Sequence, residues 1–148
     1  MLFTLRPLIL ETQGLHAALQ QSISKLAETD PTPIHMEAMP EVDQLLDRNT
    51  QGVIFYIIDE AILNARKHAK ASNIWVRLYV RDSVFVAEAE DDGCGFDVGA
   101  VQVRYDERNS LGMVNMHERA ELIGGTLRIA SAPGQGTRIT LTVPLQRR

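Results

Sequence analysis

Asp91-Asp92-Gly93-Cys94-Gly95-Phe96 follows an alternating apolar run and sets the meaning of three other short motifs in the chain. Val84 to Ala89 alternates as a strand does, which puts Asp91 at a strand end. A carboxylate there can accept a hydrogen bond from an exocyclic amine, a contact that selects adenine over guanine. Gly93 and Gly95 open backbone angles closed to other residues and let a ligand approach the main chain. Taken alone, Asp-x-Gly-x-Gly also reads as a tight turn from strand to loop.

The other motifs are Glu60-Ala61-Ile62-Leu63-Asn64-Ala65-Arg66-Lys67-His68 upstream, and Leu111-Gly112-Met113 and Gly134-Gln135-Gly136-Thr137 downstream. Residues four and seven apart share a helix face, so Glu60, Asn64 and Lys67 are expected to project together. Magnesium takes oxygen ligands, keeps several waters and uses one or two protein groups beside substrate phosphates. The Asn64 carboxamide next to the Glu60 carboxylate suits that demand, and Lys67 supplies a cationic donor for phosphate. Gly112 opens a helix whose free N–H groups form an anion site. Each piece has a plain alternative: a solvated helix face, an ordinary helix start, a hairpin turn. Their order and spacing favour a single nucleotide pocket.

Around these motifs the chain reads as one α+β domain of 148 residues, long enough to bury a core. Leu8 to Glu28 patterns as one amphipathic helix, stopped by Asp30-Pro31-Thr32-Pro33. Ile34 to Met39 suits a short edge strand, and Pro40 to Asp47 a loop. Asn49 or Thr50 is the expected cap of a second helix with apolar positions Val53, Ile57, Ala61 and Ala65, ending near Ala71. Ile74 to Tyr79 and Val84 to Ala89 form strands joined at Arg81-Asp82-Ser83. Asp91 to Asn109 reads as a mobile loop, and Gly112 to Ile123 as a helix stopped by Gly124-Gly125. Leu127 to Ala132 and Arg138 to Val143 close a hairpin. The expected architecture is a two-layer sandwich: a mixed, mostly antiparallel sheet with helices on one face.

Composition narrows the function classes. Hydrophobic residues make up 45% and charged residues 23%, with a net charge of −4 and scattered basic side chains, which argues against nucleic-acid binding. The apolar run Val53 to Ile58 is too short to span a bilayer, and Met1 to Leu10 shows no cleavage pattern. Cys94 is the sole cysteine, so no internal disulfide forms, as suits a reducing, cytoplasmic setting.

The four motifs resemble the N, G1, G2 and G3 boxes of the GHKL superfamily (gyrase, the heat-shock chaperone, histidine kinases and the MutL repair protein). The resemblance is strongest to the ATP-binding catalytic domain of two-component sensor histidine kinases of the nitrate-sensor-like subfamily. Its carriers are Glu60-Ala61-x-x-Asn64-Ala65-x-Lys67-His68-Ala69-x-Ala71, Leu111-Gly112-Met113-x-Asn115-Met116-x-Glu118-Arg119-Ala120 and Leu122-x-Gly124-Gly125. Leu5-Arg6-Pro7-x-x-Leu10-Glu11-x-x-Gly14-Leu15-x-x-Ala18-Leu19 resembles the segment that joins dimerisation helices to the catalytic domain. The resemblance implies the Bergerat fold, with residues 1–30 as a linker helix and 31–148 as the catalytic domain. It implies that Asn64 and Glu60 hold magnesium, that Glu60 acts as base, and that Lys67 and His68 meet phosphate. Asp91 would bind the adenine amine in a pocket shaped by Gly93 and Gly95. Leu111, Gly112 and Met113 would hinge a lid and offer N–H groups to phosphate, while Gly136 and Thr137 would close the adenine side.

There are departures. Asn109-Ser110-Leu111-Gly112 lacks an extra leading glycine, and the lid between Phe96 and Leu111 is short. No His-Asp or His-Glu phosphoacceptor pair precedes the linker; His16 and His35 sit on other elements, and His117-Glu118 belongs to the helix after the G2 box. The expectation is a monomeric catalytic piece of a longer kinase, or a partner-dependent stand-alone form. It would donate a phosphoryl group to a histidine on a separate dimerisation domain, with a response regulator downstream. Two alternatives stay open: an ATP hydrolase or clamp of the same superfamily, and a nucleotide-gated serine kinase like the anti-sigma-factor kinases, which phosphorylate a Ser on a partner protein.

Overall fold

The computed structural model describes residues 7–95 and 111–145. Five strands form one sheet, in the order β1-β2-β3-β5-β4: β1 (Ile34–Ala38), β2 (Ile74–Arg81), β3 (Val84–Asp91), β4 (Thr126–Ser131) and β5 (Thr137–Pro144). Four α-helices accompany them among the described residues: α1 (Leu8–Gln13), α2 (Leu15–Ala27), α3 (Arg48–Asn64) and α4 (Leu111–Leu122). Strands β1 and β2 pair in parallel and every other pairing is antiparallel. The expected mixed, mostly antiparallel sandwich is therefore present, with β1 at an edge.

Side-chain alternation sorts the sheet into two faces. Ile74, Val76 and Leu78 on β2, Phe85, Ala87 and Ala89 on β3, and Ile139, Leu141 and Val143 on β5 are all buried. They lie in register with one another across the ladders. Helices cover this face and contribute Leu15, Leu19, Ile54, Ile57, Ile58, Ile62, Met116 and Ala120 to the same core. The opposite face carries Arg77 bonded to Glu88 and Glu90 at 3.2 and 3.0 Å, a cross-strand charge cluster in partial contact with water.

Chain direction follows from the register. β2 starts at Ile74 opposite Asp91, where β3 ends, and β5 starts at Thr137 opposite the same Asp91. This edge of the sheet, the near end, receives the ends of β3 and β4 and the starts of β1, β2 and β5. α3 is the crossover between the parallel strands β1 and β2, so it runs back towards the near end and finishes there. α4 leads into the start of β4, which pairs with Thr142 at the far end. Its 12 residues span about 18 Å at ~1.5 Å per residue, which returns its first turn to the near end.

The expected single helix from Leu8 to Glu28 is two helices. Gly14 breaks it with φ +98° and ψ −179°, a conformation open to glycine. A Cβ at Gly14 would also stand 3.0 Å from a carboxylate oxygen of Asp43. The first N–H groups of α2 are capped from a distance: Leu15 donates to Gln51 Oε1 (3.0 Å) and His16 to Asp43 Oδ2 (2.8 Å). Gln51, 3% exposed, also donates to the carbonyls of Asp43 and Leu46 and accepts from Arg48. Asp43 and Gln51 thereby satisfy orphan helix donors that a local cap would ordinarily serve.

Other differences are smaller. The loop expected over Pro40 to Asp47 contains a 3₁₀ turn, Val42–Leu45. The cap of α3 is Asp47, whose carboxylate accepts from Thr50 N–H at 2.7 Å, rather than Asn49 or Thr50. Val53 is only half-buried, whereas Ile54, Ile58 and Ile62 are fully buried, so the apolar stripe of α3 is broader than the four-residue spacing showed. Strands β2 and β3 each run two residues further than their expected ends: the Asp82-Ser83 turn (φ 54° and 65°) lets β2 pair on to Arg81, and β3 continues to Asp91 by pairing with Ile74 of β2 and Thr137 of β5. The loop expected over Asp91 to Asn109 falls mostly at 96–110, outside the described residues. Replacing Gln51 with Ala should cost about 3 kcal/mol, since it leaves several buried donors and acceptors unpaired. Urea unfolding of the two proteins measures the difference.

Candidate functional site

Strand periodicity places Asp91 where an apolar residue belongs. Phe85, Ala87 and Ala89 point into the core, and Asp91 is the next residue in that series, 7% exposed and facing the helices. Its carboxylate accepts the Gly93 N–H at 2.8 Å, and the Thr137 N–H from β5 also bonds to it. Burial pushes the Asp91 carboxyl above the ordinary carboxylate value, the adjacent Asp92 and Glu90 charges add to the rise, and the two N–H groups oppose it. A raised carboxyl favours the fold below pH 3.8 and loses that contribution as pH climbs through its folded value. The charged form of this buried carboxyl carries a desolvation cost, which a ligand donor would offset.

The G1 and G3 segments lie against each other. Gly95 (φ +67°) and Gly136 (φ +75°) both take left-handed backbone. A Cβ on Gly136 would overlap the Asp91 carbonyl oxygen, and one on Gly95 would overlap the Ala132 carbonyl oxygen. The Gly134 N–H donates to the Cys94 carbonyl at 2.6 Å, tying the hairpin tip to the loop after Asp91. The Thr137 hydroxyl shares a 2.9 Å hydrogen bond with Ser131. Asp91, Gly93, Gly95, Gly136 and Thr137 are thus one contiguous unit.

Glu60 and Asn64 occupy the last turns of α3, both half-buried and one helical turn apart. Beyond Asn64 the helix widens into a π-helical turn, Ala65–Ala69, ended by Lys70 in the left-handed region (φ 53°). A π turn advances fewer degrees per residue than an α-helix. The seven-residue spacing that set Lys67 over Glu60 therefore does not hold, and Lys67 is exposed. π turns recur at functional sites; nothing in the sequence pattern distinguishes this one from α-helix. His68 lies in the turn, and Leu111, Gly112 and Met113 form the first turn of α4.

Sequence reasoning missed two anionic anchors that border this turn. Asp30 accepts from Thr32 N–H through Oδ1 (2.8 Å) and pairs with Arg66 through Oδ2 (3.0 Å). Its carboxyl is pulled down to about 2, first by the Thr32 N–H and then by Arg66. Asp92 accepts the N–H groups of Ser72 and Asn73, both at 2.8 Å, and the Asn73 side-chain amide at 3.2 Å. Those bonds, led by Asn73, hold its carboxyl below the ordinary value. Both anchors join residues far apart in sequence, which local patterns do not show.

The donor set fits a nucleotide and its ion. No group of three or more His, Cys, Asp or Glu that could hold a metal occurs among the described residues. Hard oxygen donors are present on Glu60 and Asn64, and the buried acceptor Asp91 lies at the same end of the sheet. Among the described residues, no helix is long and apolar enough to cross a membrane.

Comparison with known proteins agrees with this arrangement. Residues 49–147 match the family model described as histidine kinase-, DNA gyrase B-, and HSP90-like ATPase. The chain belongs to that ATPase family. The family match takes in all four boxes, from Glu60 to Thr137. An uncharacterised sensor-like histidine kinase of Chloroflexus aurantiacus is 46% identical over 99% of the chain, which covers 25% of that relative. The sensor histidine kinase LiaS of Bacillus subtilis is 31% identical over 98% of the chain and 38% of its own length. The chain thus spans between a quarter and two-fifths of these curated relatives. The histidine kinase domain of a blue-light activated histidine kinase from Erythrobacter litoralis shares the fold, with a TM-score of 0.71 at 22% identity over 88% of this chain and 61% of that one. This is an ATP-binding domain of the histidine-kinase type.

Two measurements check the geometry. Gly136→Ala should cost about 2–3 kcal/mol through steric overlap and backbone strain. Gly134→Ala, also at positive φ (79°) but with open space around its Cβ, should cost less in the same urea titration. The Asp91 carboxyl carbon, followed by NMR, should titrate above pH 3.8 in the free protein and move to lower pH when adenosine nucleotide is added.

Proposed function

We propose that this chain is the catalytic domain of a cytoplasmic sensor histidine kinase of the nitrate-sensor-like subfamily. It would move the γ-phosphoryl group of ATP to a histidine on a dimerisation domain of the same kinase, and a response regulator would receive it later. The observation that carries the reading is the buried Asp91 carboxylate on the helix-covered face, at the end of the sheet where α3 finishes. A carboxylate in that place accepts a donor from a flat base and discriminates by donor pattern, as unmatched buried polar groups are costly.

In this reading Asp91 accepts the adenine amine, while Gly93 and Gly95 keep the main chain close to the base. Gly136 and Thr137 brace the far side of Asp91. The Asn64 carboxamide and Glu60 carboxylate would hold magnesium, which when bound supplies charge neutralisation to the phosphates. Lys67 and His68 approach phosphate from the π turn, and Leu111, Gly112 and Met113 offer the helix N-terminus to it. Glu60 accepts the proton of the attacking imidazole. The bond from phosphorus to the bridging β,γ-oxygen breaks, a phosphorus–nitrogen bond forms, and ADP leaves. Catalysis of this kind rests on positioning and charge neutralisation.

Calorimetry tests the reading. Wild-type protein should bind ATP with magnesium, and Asp91→Ala and Asn64→Asp should each abolish binding with the fold intact by circular dichroism. Supplied with a phosphoacceptor domain, the wild type should yield an acid-labile phosphoprotein. Acid-stable label, or steady phosphate release with no acceptor present, would assign the protein to another activity of its family.

A further inference from the structure

The helix that precedes the sheet runs alongside α3 with a nearly constant offset. Leu15 bonds Gln51, Ser22 bonds Asp59 at 2.7 Å, and Asp30 pairs with Arg66. The sequence separations of these pairs are 36, 37 and 36 residues. Matching separations at the Leu15 N–H and the Ser22 side chain, continued past the helix ends by Asp30, mean that α2 and α3 run parallel. The bolts reach the site itself: Asp59 adjoins Glu60, and Arg66 lies between Asn64 and Lys67.

The Asp30–Arg66 pair, near the start of the π turn, and the Asp92 bonds to Ser72 and Asn73, beyond its end, flank the residues between them. Arg66, whose side chain is 11% exposed, is held at the start by Asp30. Ser72 and Asn73 are held at the end by Asp92, the residue beside the adenine-reading Asp91. Between them lie Lys67, His68 and the left-handed Lys70. A segment pinned at both ends by charge-assisted bonds loses conformational freedom before any ligand arrives, and preorganisation of that kind favours binding.

We propose that Arg66 is a positioning residue. Through its pair with Asp30 it sets where the π turn presents Lys67 to the triphosphate, so that the segment ahead of β1 tunes phosphate recognition. The inference rests on the proposed reading of the site and extends it to residues that touch no nucleotide. Because Asp30 follows α2, a shift of α2 along α3 would move the Asp30–Arg66 bond and with it the phosphate end of the pocket, while Asp91 and its glycines stay braced by β5.

Calorimetry with two probes, ATP–magnesium and adenosine, separates the effects. Arg66→Ala and Asp30→Asn should each weaken ATP on the order of tenfold, as loss of one charge-assisted hydrogen bond does, and leave adenosine affinity unchanged. Arg66→Lys, which keeps the charge, should recover most of the loss. The double variant Asp30→Asn/Arg66→Ala should bind ATP no more weakly than Arg66→Ala alone. Unchanged ATP affinity in the single variants, equal losses for ATP and adenosine, or additive losses in the double variant would overturn the inference. Failure of the wild-type protein to bind either probe would instead overturn the reading of the site.

Discussion

A carboxylate on the buried face of a sheet is the constraint around which this domain is organised. Asp91 takes the inward position after Phe85, Ala87 and Ala89, and desolvation of an anion is expensive unless it is hydrogen-bonded. Two backbone N–H groups, from Gly93 and Thr137, supply part of the compensation. To deliver the second, β5 must lie directly beside β3 at that residue, and the ladder does place Thr137 opposite Asp91. To let the chain turn away so closely, Gly95 and Gly136 must be glycine. The motif glycines therefore serve the carboxylate first, and a ligand through it.

The helical layer answers the same demand from the other side. α3 is held at its start by Asp47 and Gln51 and along its length by α2. Its apolar residues Ile54, Ile57, Ile58 and Ile62 fill the core above the small residues Ala87 and Ala89. That packing fixes the helix end near the sheet end that carries Asp91. From there the backbone widens into the π turn and passes through Lys70 to the start of β2. Buried polar groups gather at the two ends of α3, with Asp43 and Gln51 at its start and Asp91 by its finish, while Ile54, Ile57, Ile58 and Ile62 between them are apolar.

Much of this was legible in the sequence. Strand alternation placed Asp91 at a strand end, the glycines marked the turns, and four-residue spacing put Glu60 and Asn64 on one face. Those features depend on neighbours in sequence. What stayed hidden depends on contacts between distant segments. Leu8 to Glu28 has uninterrupted helical patterning, yet Gly14 breaks it where Asp43 and Gln51 cap a new helix. Ile62 through Ala71 reads as more helix, yet the backbone takes a π turn bordered by Asp30 and Asp92. Periodicity carries no signal for either, since each is bonded by side chains distant in sequence, at separations of 19, 27 and 36 residues.

The most direct test is a structure of the protein with an adenine nucleotide and magnesium bound. The account requires the base to lie over the near end of the sheet, with its exocyclic amine within about 2.7–3.2 Å of an Asp91 carboxylate oxygen. A base seated elsewhere, with that carboxylate satisfied by protein groups alone, would contradict it.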